Sequence, residues 1–492
     1  MPNIAFDNSY ESLPARFYTR LQARGAKTPR LLRLNRSLAR ALGLDADWLA
    51  SPEGVAMLAG TAMPAGAASL AMVYAGHQFG HFSPQLGDGR ALLVGEFLAP
   101  DGQRYDLHLK GSGPTPYSRA GDGRAALGPV LREYIVSEAM AALGIPTSRT
   151  LAAVATGEKV FREEILPGAV LARIARSHLR VGTFEFFASR RDQAGLKELA
   201  DYAIRRHDPA AADAQEPYLA LLAGVVARTA DLVARWMAVG FIHGVMNTDN
   251  VTISGETIDY GPCAFLDTYH PATVFSSIDH QGRYAYANQP RIAHWNMARL
   301  AQALLPLLDA DEDKAVAAAQ NAIDAFAPQF EEAYLAAMRA KLGLASAQDG
   351  DDALIEDLLA RMAANKADFT LVFRRLGDCD SNLPANDGAV RALFEDPHAF
   401  DGWAKAWRHR LASDALAPDQ RRAAMQAVNP LFIARNHRVE AALAAAQING
   451  DFSAFDDLLR AVGAPFAEQP GLSHYADPPK PEEIVEATFC GT

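Results

Sequence analysis

Cysteine is scarce in this sequence of 492 residues, which contains only Cys263, Cys379 and Cys490. Three widely separated thiols cannot form a disulfide framework, so we expect a protein of a reducing compartment, the cytoplasm. Net positive charge is also lacking, because 47 lysines and arginines stand against 58 acidic residues and give a formal charge of −11. A nucleic-acid-binding domain normally carries a basic surface, so we expect no nucleic-acid partner.

Long apolar runs are missing as well. No unbroken apolar stretch of about 18 residues occurs, so we expect no membrane span. The opening sequence, MPNIAFDNSYESLPARFY, has no charged segment followed by an apolar run, as a secretory signal would have. The chain also lacks internal repeats and low-complexity segments. We expect a globular monomer, long enough for two or three packed units.

The front half of the chain carries strand patterns. Residues 91–98 form an apolar run, and residues 104–110 alternate between apolar and polar side chains, which predicts two strands. Helical spacing of apolar residues predicts a helix over 125–143. A further strand pair is predicted over 150–163, with its turn at residues 157–158.

The back half of the chain is helical by pattern. A long apolar helix is predicted over 217–239, with Gly240 as its C-terminal cap. Alanine- and leucine-rich helices are then predicted over 291–308, 315–344 (with a break possible at Pro328), 353–365, 421–428 and 437–446. A β-rich lobe followed by an α-rich lobe predicts an α+β protein with its ligand in the crevice between them.

The strongest motif is the loop HGVMNTDN, from His243 to Asn250, which is followed by the triplet Asp259-Tyr-Gly. In a protein-kinase catalytic loop, an aspartate base is followed five positions later by a metal-binding asparagine, and a second aspartate opens a D-F-G triplet. Asn250 and Asp259 fit the two metal positions, whereas Val245 stands where the kinase base would be. Asp249 supplies an acid one residue before the asparagine. The alternative is an ordinary turn with Asp259 as a cap.

Lys110 ends the alternating strand, and Glu133 follows 23 residues later on the predicted helix. This is the layout of the kinase lysine–glutamate pair, in which the ammonium group binds nucleotide phosphates. A lone strand lysine is more often a solvated charge, and Glu138 is a competing partner.

Two GDGR segments, at 87–90 and 121–124, and the arginines Arg173, Arg176 and Arg180 are candidate phosphate contacts. Glycine lets the backbone approach a phosphate, and the guanidinium fork matches phosphate oxygens. Isolated glycine turns and solvated arginines are the alternative.

The segment AGHQFGH places His77 and His81 four residues apart, which is the spacing of a helical metal pair. No third ligand follows, and the neighbouring glycines disfavour a helix. We therefore expect the two histidines to be structural.

Taken together, these motifs resemble the selenoprotein O family, whose bacterial members are the YdiU proteins. The resemblance rests on YAGHQFGHFSPQLGDGRA, LHLKGSGPTPYSR, GDGRAALGPVLREYIVSEAM, HGVMNTDN and TIDYGPCAFLD, and it extends to the terminal Cys-Gly-Thr. It implies a protein-kinase-like two-lobed fold with extra C-terminal helices, in which ATP binds in an inverted orientation. The implied activity is transfer of AMP to Ser, Thr or Tyr hydroxyls of proteins with release of pyrophosphate.

The resemblance also implies roles for individual residues. Glu133 would pair with Lys110. The ligands of Mg²⁺, or of Mn²⁺ in its place, would be Asn250 and Asp259, and Asp249 would be the proton acceptor. Nucleotide contacts are implied for Gly87, Gly89, Arg90, Lys110, Asp122, Gly123, Arg173 and Arg180.

The resemblance also suggests a redox element and a division of the chain into five regions. In the family, a terminal selenocysteine or cysteine is thought to pair with a cysteine of the activation segment. Here residues 271–277 contain no cysteine, so a Cys263–Cys490 bridge is only a hypothesis. The expected regions are an N-terminal extension at 1–85, a β-rich nucleotide-binding lobe at 86–185, a catalytic α-rich lobe at 186–290, a helical extension at 291–470 and a flexible tail at 471–492.

Three alternatives stay open at this point. The protein could be an atypical kinase for proteins or small molecules, although Val245 argues against phosphoryl transfer. It could transfer UMP from UTP with Mn²⁺. It could also be a pseudokinase that only binds, although retention of Lys110, Asn250 and Asp259 argues against an empty site.

Overall fold

Eight strands form one antiparallel sheet in the computed structural model, which describes residues 4–22, 24–379 and 384–489. The order in the sheet is β1-β3-β6-β7-β10-β9-β2, and β8 pairs with β10. Two short hairpins, β4–β5 and β11–β12, lie outside it. The strands are β1 Tyr18–Arg20, β2 Arg30–Leu34, β3 Leu70–Met72, β4 Gly76–Gln78, β5 His81–Ser83, β6 Ala91–Leu98, β7 Arg104–Lys110, β8 Ala125–Ala126, β9 Arg149–Phe161, β10 Ile165–Ala175, β11 Phe241–Ile242 and β12 Ala264–Phe265.

Helices make up most of the chain after the sheet, so the fold is mixed α+β, as expected. They are α1 Arg36–Ala41, α2 Ala46–Leu49, α3 Pro52–Leu58, α4 Leu127–Ala142, α5 Val181–Ser189, α6 Gln193–His207, α7 Pro217–Val239, α8 Gln289–Leu308, α9 Glu312–Asp324, α10 Phe326–Lys341, α11 Asp351–Ala364, α12 Phe369–Leu376, α13 Gly388–Arg391, α14 Pro397–Ala412, α15 Pro418–Val428, α16 Asn436–Ala444 and α17 Ser453–Gly463.

The sheet is covered on both faces. Leu107 and Leu109 of β7 lie in an apolar cluster with helices α1–α3. The opposite face of the same strand carries Asp106 and His108, which are 2% and 0% exposed. The alternation predicted from the sequence is therefore correct, but these polar groups are buried. Asp106 bonds to His178 and Arg206, and His108 bonds to Asp88 and Arg173.

A larger apolar cluster runs from the second face of the sheet through α4 and α7 to the C-terminal helices. In the part of the chain that the structure describes, α7 is the one helix long and apolar enough to cross a membrane. Half of its apolar window is buried inside the protein. That burial is typical of the core helix of a folded domain. Gly240 ends α7 in the left-handed conformation (φ 73°), as expected.

The turn of the hairpin predicted over 150–163 was placed at the wrong residues. Strand β9 continues past Gly157 to Phe161 before it returns as β10. Gly157 (φ +71°) lies at a register shift, where the N-terminal segment crosses the strand and Thr28 N–H donates to the Thr156 carbonyl at 3.1 Å. A Cβ at position 157 would lie 1.7 Å from Thr28 Oγ1. Glycine is needed there for close approach rather than for a turn.

Two helices replace the single one predicted over 315–344. The break falls at Ala325 rather than at Pro328. Pro328 lies in the first turn of α10, where a missing N–H removes no intrahelical hydrogen bond. The prediction of a proline break at that position was therefore wrong.

Replacing Lys341 of α10 by methionine should stabilise the fold. Lys341 is 3% exposed, its Nζ lies 4.3 Å from the centre of the Phe373 ring, and burial lowers its pKa to about 7 from 10.5. Between these two pKa values the unfolded chain binds a proton that the folded chain does not, so stability rises with pH across that window. The gain from Lys341→Met should be on the order of 1–3 kcal/mol at pH 7 and should shrink toward pH 10.5.

Urea unfolding of both proteins between pH 7 and 10 measures this effect. Exposed Lys405→Met on α14 is the control and should change stability little at any pH. A Lys341→Met variant that is less stable than the wild type at pH 7 would show that the ammonium group has stabilising partners.

Candidate active site

A cavity of about 490 Å³ opens beside the ends of β6 and β7. This volume is in the range of small-molecule sites. Its lining includes eleven residues singled out from the sequence: Gly87, Gly89, Arg90, Lys110, Asp122, Gly123, Arg173, Arg180, Asp249, Asn250 and Asp259. Glu133 lies behind this surface, in contact with Lys110. Arg176 does not line the cavity, and its Nη2 donates to Gln103 Oε1 at 3.3 Å.

Lys110 pairs with Glu133 rather than with Glu138. Its Nζ lies 2.6 Å from Glu133 Oε2 and 3.2 Å from Asp259 Oδ1. Glu138 instead accepts hydrogen bonds from Arg149 Nε and Nη2 at 2.9 and 2.6 Å. The choice between the two glutamates is thus made by how α4 lies against the sheet.

The neighbouring residue Arg132 ties three parts of the chain together. Its Nη2 donates to the Cys263 carbonyl at 2.5 Å and to Asn436 Oδ1 at 2.8 Å, and its Nη1 lies 2.8 Å from Glu440 Oε1. Helix α4 is therefore fixed at this point to the segment that follows Asp259 and to helix α16.

Asp259 is the centre of the charge cluster. Its Oδ1 accepts from Arg173 Nη1 at 2.6 Å and from Lys110, and its Oδ2 accepts from Arg180 Nη1 at 2.6 Å. Burial alone would raise the pKa of Asp259, but Arg180, Lys110 and Arg173 outweigh it and hold the pKa well below its usual range. The residue adopts a left-handed backbone (φ 59°), which is costly outside glycine and persists where the surroundings enforce it.

The lining of the cavity carries more positive than negative charge. Its cations are Arg90, Lys110, Arg119, Arg124, Arg162, Arg173 and Arg180, and its anions are Asp88, Asp122, Asp249 and Asp259. Such a surplus inside a cavity attracts an anion, and guanidinium and ammonium groups suit phosphate.

His108 positions Arg173, a role that the sequence reading did not assign. Its Nδ1 lies 2.9 Å from Arg173 Nη2 and its Nε2 lies 3.2 Å from Asp88 Oδ2. Because a guanidinium can only donate, Nδ1 accepts and the proton lies on Nε2, which donates to Asp88. Burial lowers the pKa of His108, which agrees with a neutral ring. The signal was available, since the alternation of β7 puts His108 and Lys110 on one face.

The loop from His243 to Asn250 presents oxygens to the cavity. Asn250 Nδ2 donates to the Val245 carbonyl at 3.0 Å. An amide nitrogen used in this way leaves Oδ1 as the atom for a ligand. Arg180 also joins this loop, because its Nη1 donates to the Asp249 carbonyl at 2.5 Å.

Asp249 is a buried carboxyl group with one unused oxygen. Its Oδ2 accepts from Gln78 Nε2 at 3.2 Å, and its Oδ1 has no hydrogen-bond partner among the described residues. Burial raises the pKa of Asp249 to about 6, against the opposing effect of Arg180. A buried oxygen without a partner is a site for a proton, a cation or a donor group from a ligand.

The AGHQFGH segment holds this loop in place. His77 N–H donates to Thr248 Oγ1 at 2.6 Å, and Thr248 Oγ1 donates to Glu185 Oε2 at 2.5 Å. Glu185 Oε1 lies 2.5 Å from His77 Nδ1. A Cβ on Gly76 would lie 2.6 Å from Asp249 Oδ1. The segment forms the β4–β5 hairpin rather than a helix, so no helical metal pair arises.

The two GDGR loops form one wall of the cavity. Gly87 (φ 122°) lies so close to Tyr117 that a Cβ would be 2.6 Å from its ring. Asp122 pairs with Arg162 through two contacts of 2.9 and 3.1 Å, which lower the pKa of Asp122. Arg162 lies between β9 and β10, and no sequence motif marked it.

The described residues contain neither a ready-made metal cluster nor an acidic thiol. Within residues 4–22, 24–379 and 384–489, no group of three or more His, Cys, Asp and Glu side chains is arranged for a metal ion. Cys263 is buried, and burial raises the pKa of its thiol to about 11. Cys490 lies outside the described residues, so the proposed bridge between them stays a hypothesis.

Comparison with known proteins identifies the family. The family model described as "Protein adenylyltransferase SelO" matches residues 1–463. Proteins named "Protein nucleotidyltransferase YdiU" from Rhodopseudomonas palustris (strain BisB5) and Bradyrhizobium diazoefficiens are 62% and 61% identical over 490 residues, covering 100% of this chain and 99% of theirs. A protein of that name from Methylorubrum extorquens is 61% identical over 495 residues, with 99% of both chains covered. The chain therefore belongs to the SelO/YdiU family and is a nucleotidyltransferase.

Proposed function

We propose that this protein is a protein adenylyltransferase, which transfers AMP from ATP to Ser, Thr or Tyr hydroxyls of other proteins and releases pyrophosphate. The proposal includes a protein-kinase-like arrangement of two lobes around the cavity. It rests first on Asp249, a buried acid with a free oxygen, which lies beside the metal-type asparagine while Val245 occupies the position of a kinase base.

In the proposed reaction the acceptor hydroxyl oxygen attacks the α-phosphorus of ATP. A new oxygen–phosphorus bond forms while the bond from the α-phosphorus to the bridging oxygen breaks, and the electron pair leaves with pyrophosphate. The hydroxyl proton passes to Asp249. With ATP inverted relative to kinases, the α-phosphate would face this acid.

The cationic cluster would position the phosphates. Lys110, Arg173 and Arg180 are now engaged with carboxylates at 2.6 to 3.2 Å. A phosphate chain offers the same cations a second anion, and fixed cations stabilise negative charge on the transferring group. Glu133 would keep Lys110 aligned during this exchange.

Asn250 and Asp259 would hold Mg²⁺, with Mn²⁺ as an alternative. An amide oxygen and a carboxylate suit a hard cation, and Asn250 Oδ1 is left available because Nδ2 donates to the Val245 carbonyl. Two protein ligands are enough for Mg²⁺, which commonly keeps waters and binds substrate phosphates. When bound, the ion would neutralise phosphate charge.

Labelled nucleotide tests the proposal. The purified protein is incubated with an acceptor protein, Mg²⁺ and ATP labelled at the α- or the γ-position, and the acceptor's intact mass is measured. We expect α-label to be retained, γ-label to be released, and the acceptor to gain one AMP. Retained γ-label with a gain of one phosphate would show a kinase instead.

Two further arms separate the remaining alternatives. UTP with Mn²⁺ in place of ATP with Mg²⁺ would show whether UMP is the preferred group. Nucleotide binding without any mass gain on a panel of acceptors would indicate a binding module and contradict the proposal.

A further inference from the structure

Two arginines stack on one tryptophan beside the β4–β5 hairpin. Trp295 and Arg299 lie one turn apart on α8, and Arg283 comes from the segment before that helix. The guanidinium carbons of Arg283 and Arg299 lie 4.8 and 5.2 Å from the Trp295 ring centre. All three side chains are half-buried. Stacking fixes a guanidinium in place without using the N–H groups in its plane.

Neither guanidinium has an acidic partner among the residues that the structure places. No ion pair within 4.0 Å joins Arg283 or Arg299 to a described carboxylate. Arg283 Nε and Nη2 and Arg299 Nε are buried without hydrogen-bond partners in that same part of the chain. The acid nearest in sequence, Asp279, accepts from the backbone N–H groups of Arg283 and Tyr284 at 2.9 and 2.7 Å.

Arg283 and Arg299 place two like charges on one tryptophan ring, in a chain of net charge −11. Leaving buried donors unsatisfied is costly, and a pair of such donors is satisfied best by an anion. Arg173 and Arg180 of the cavity, by contrast, are paired with Asp259. The cluster of Arg283, Trp295 and Arg299 is therefore arranged for an anion that the described residues do not supply.

The position of the cluster suggests where that anion comes from. A Cβ on Gly80, at the tip of the β4–β5 hairpin, would lie 3.7 Å from Arg283 Cζ. Gln78 of the same hairpin donates to Asp249 Oδ2. The His77 ring meets Trp295 edge-on at 5.4 Å. The cluster thus lies one hairpin away from the acid that would receive the acceptor's proton.

We propose that Arg283 and Arg299, held on Trp295, bind acidic side chains that flank the acceptor hydroxyl in the protein substrate. This inference rests on the proposed adenylyltransfer and names the class of acceptor that the site takes. Arginine clusters recognise acidic segments through charge-assisted hydrogen bonds.

Direct binding tests the inference without requiring catalysis. Two fluorescein-labelled peptides are compared by anisotropy in the absence of nucleotide: one with a serine flanked by glutamates, and one with glutamine at each glutamate position. We expect the acidic peptide to bind at least about tenfold more tightly, and its affinity to fall as salt is raised.

Arginine variants show whether the acidic peptide binds at this cluster. In Arg283→Gln/Arg299→Gln the preference for the acidic peptide should fall about tenfold, with little change for the neutral one. Arg291→Gln is the matched control, because Arg291 is an exposed arginine of the same helix. Its peptide preference should equal that of the wild type.

Transfer assays separate this inference from the proposed function. With ATP present, the double variant should raise KM for the acidic peptide and leave KM for ATP unchanged. Equal binding of both peptides by the wild type, or an unaltered preference in the double variant, would overturn the inference even if AMP transfer occurs. Selective binding without any AMP transfer would support the anion site and contradict the proposed function.

Discussion

Replacing Asp249 by asparagine should lower the rate of AMP transfer by about 10²–10⁴-fold, which is the usual contribution of a positioned proton acceptor. Asparagine has nearly the same shape, so the close packing against Gly76 is kept. It can still accept from Gln78, but it cannot take a proton from the acceptor hydroxyl. The loss should therefore appear in kcat, with ATP affinity changed by less than about threefold.

Single-turnover transfer and nucleotide binding, measured on the same samples, check this. Asp231→Asn is the control, since Asp231 lies on the surface of α7 in an exposed pair with Arg235, and it should leave both quantities unchanged. Transfer by Asp249→Asn at the wild-type rate would remove this residue from the mechanism.

Replacing Asp259 by asparagine should abolish transfer with Mg²⁺, by about 10³-fold or more, because a proposed metal ligand and the centre of the charge cluster are lost together. The same change leaves Lys110 and Arg173 with Glu133 and removes the ion pair of Arg180. Breaking a buried ion cluster by removing one partner typically costs about 3–5 kcal/mol. The variant should therefore melt earlier than the wild type.

Metal-free ATP distinguishes this account from simple misfolding. Its phosphates can replace the missing carboxylate, so ATP with a chelator should raise the melting temperature of Asp259→Asn more than that of the wild type. If ATP fails to stabilise the folded variant, the cationic cluster is not a phosphate site. Retention of Mg²⁺-dependent transfer would show that Asp259 is not required.

The candidate residues could be read from the sequence where their spacing is local. Asn250 and Asp259 lie in short motifs that can be recognised from the order of residues along the chain. Lys110 ends a strand with a clear period of two. The partner of Lys110 could not be chosen, because Glu133 and Glu138 lie on one helix and only its orientation against the sheet separates them. The position of His108 followed from the alternation of β7, but its contact with Arg173 needed the pairing of β7 with β10. Arg162 carries no motif, and only the fold places it at the cavity.

The fold was predictable in the same uneven way. Strands β6 and β7 were predicted to the residue, since each is long enough to show its pattern. Strands β1, β2 and β3 were not predicted, because runs of three to five residues show no period and their partners lie far along the chain. The turn expected at residues 157–158 was wrong, because Gly157 is needed where the N-terminal segment crosses β9 and not at a turn. Helices α5 and α6 were also missed.

Through the hydrogen bonds of Arg132, helix α16 near the end of the chain helps to position α4 beside the cavity. Helix α4, which carries Glu133, is joined at Arg132 to α16, more than 300 residues later. Its other neighbours include Phe455 of α17, whose ring meets Tyr134 edge-on at 5.7 Å. A minimal catalytic fragment cannot be obtained by cutting between the sheet and the late helices. Such a cut would remove the support that aligns the lysine–glutamate pair.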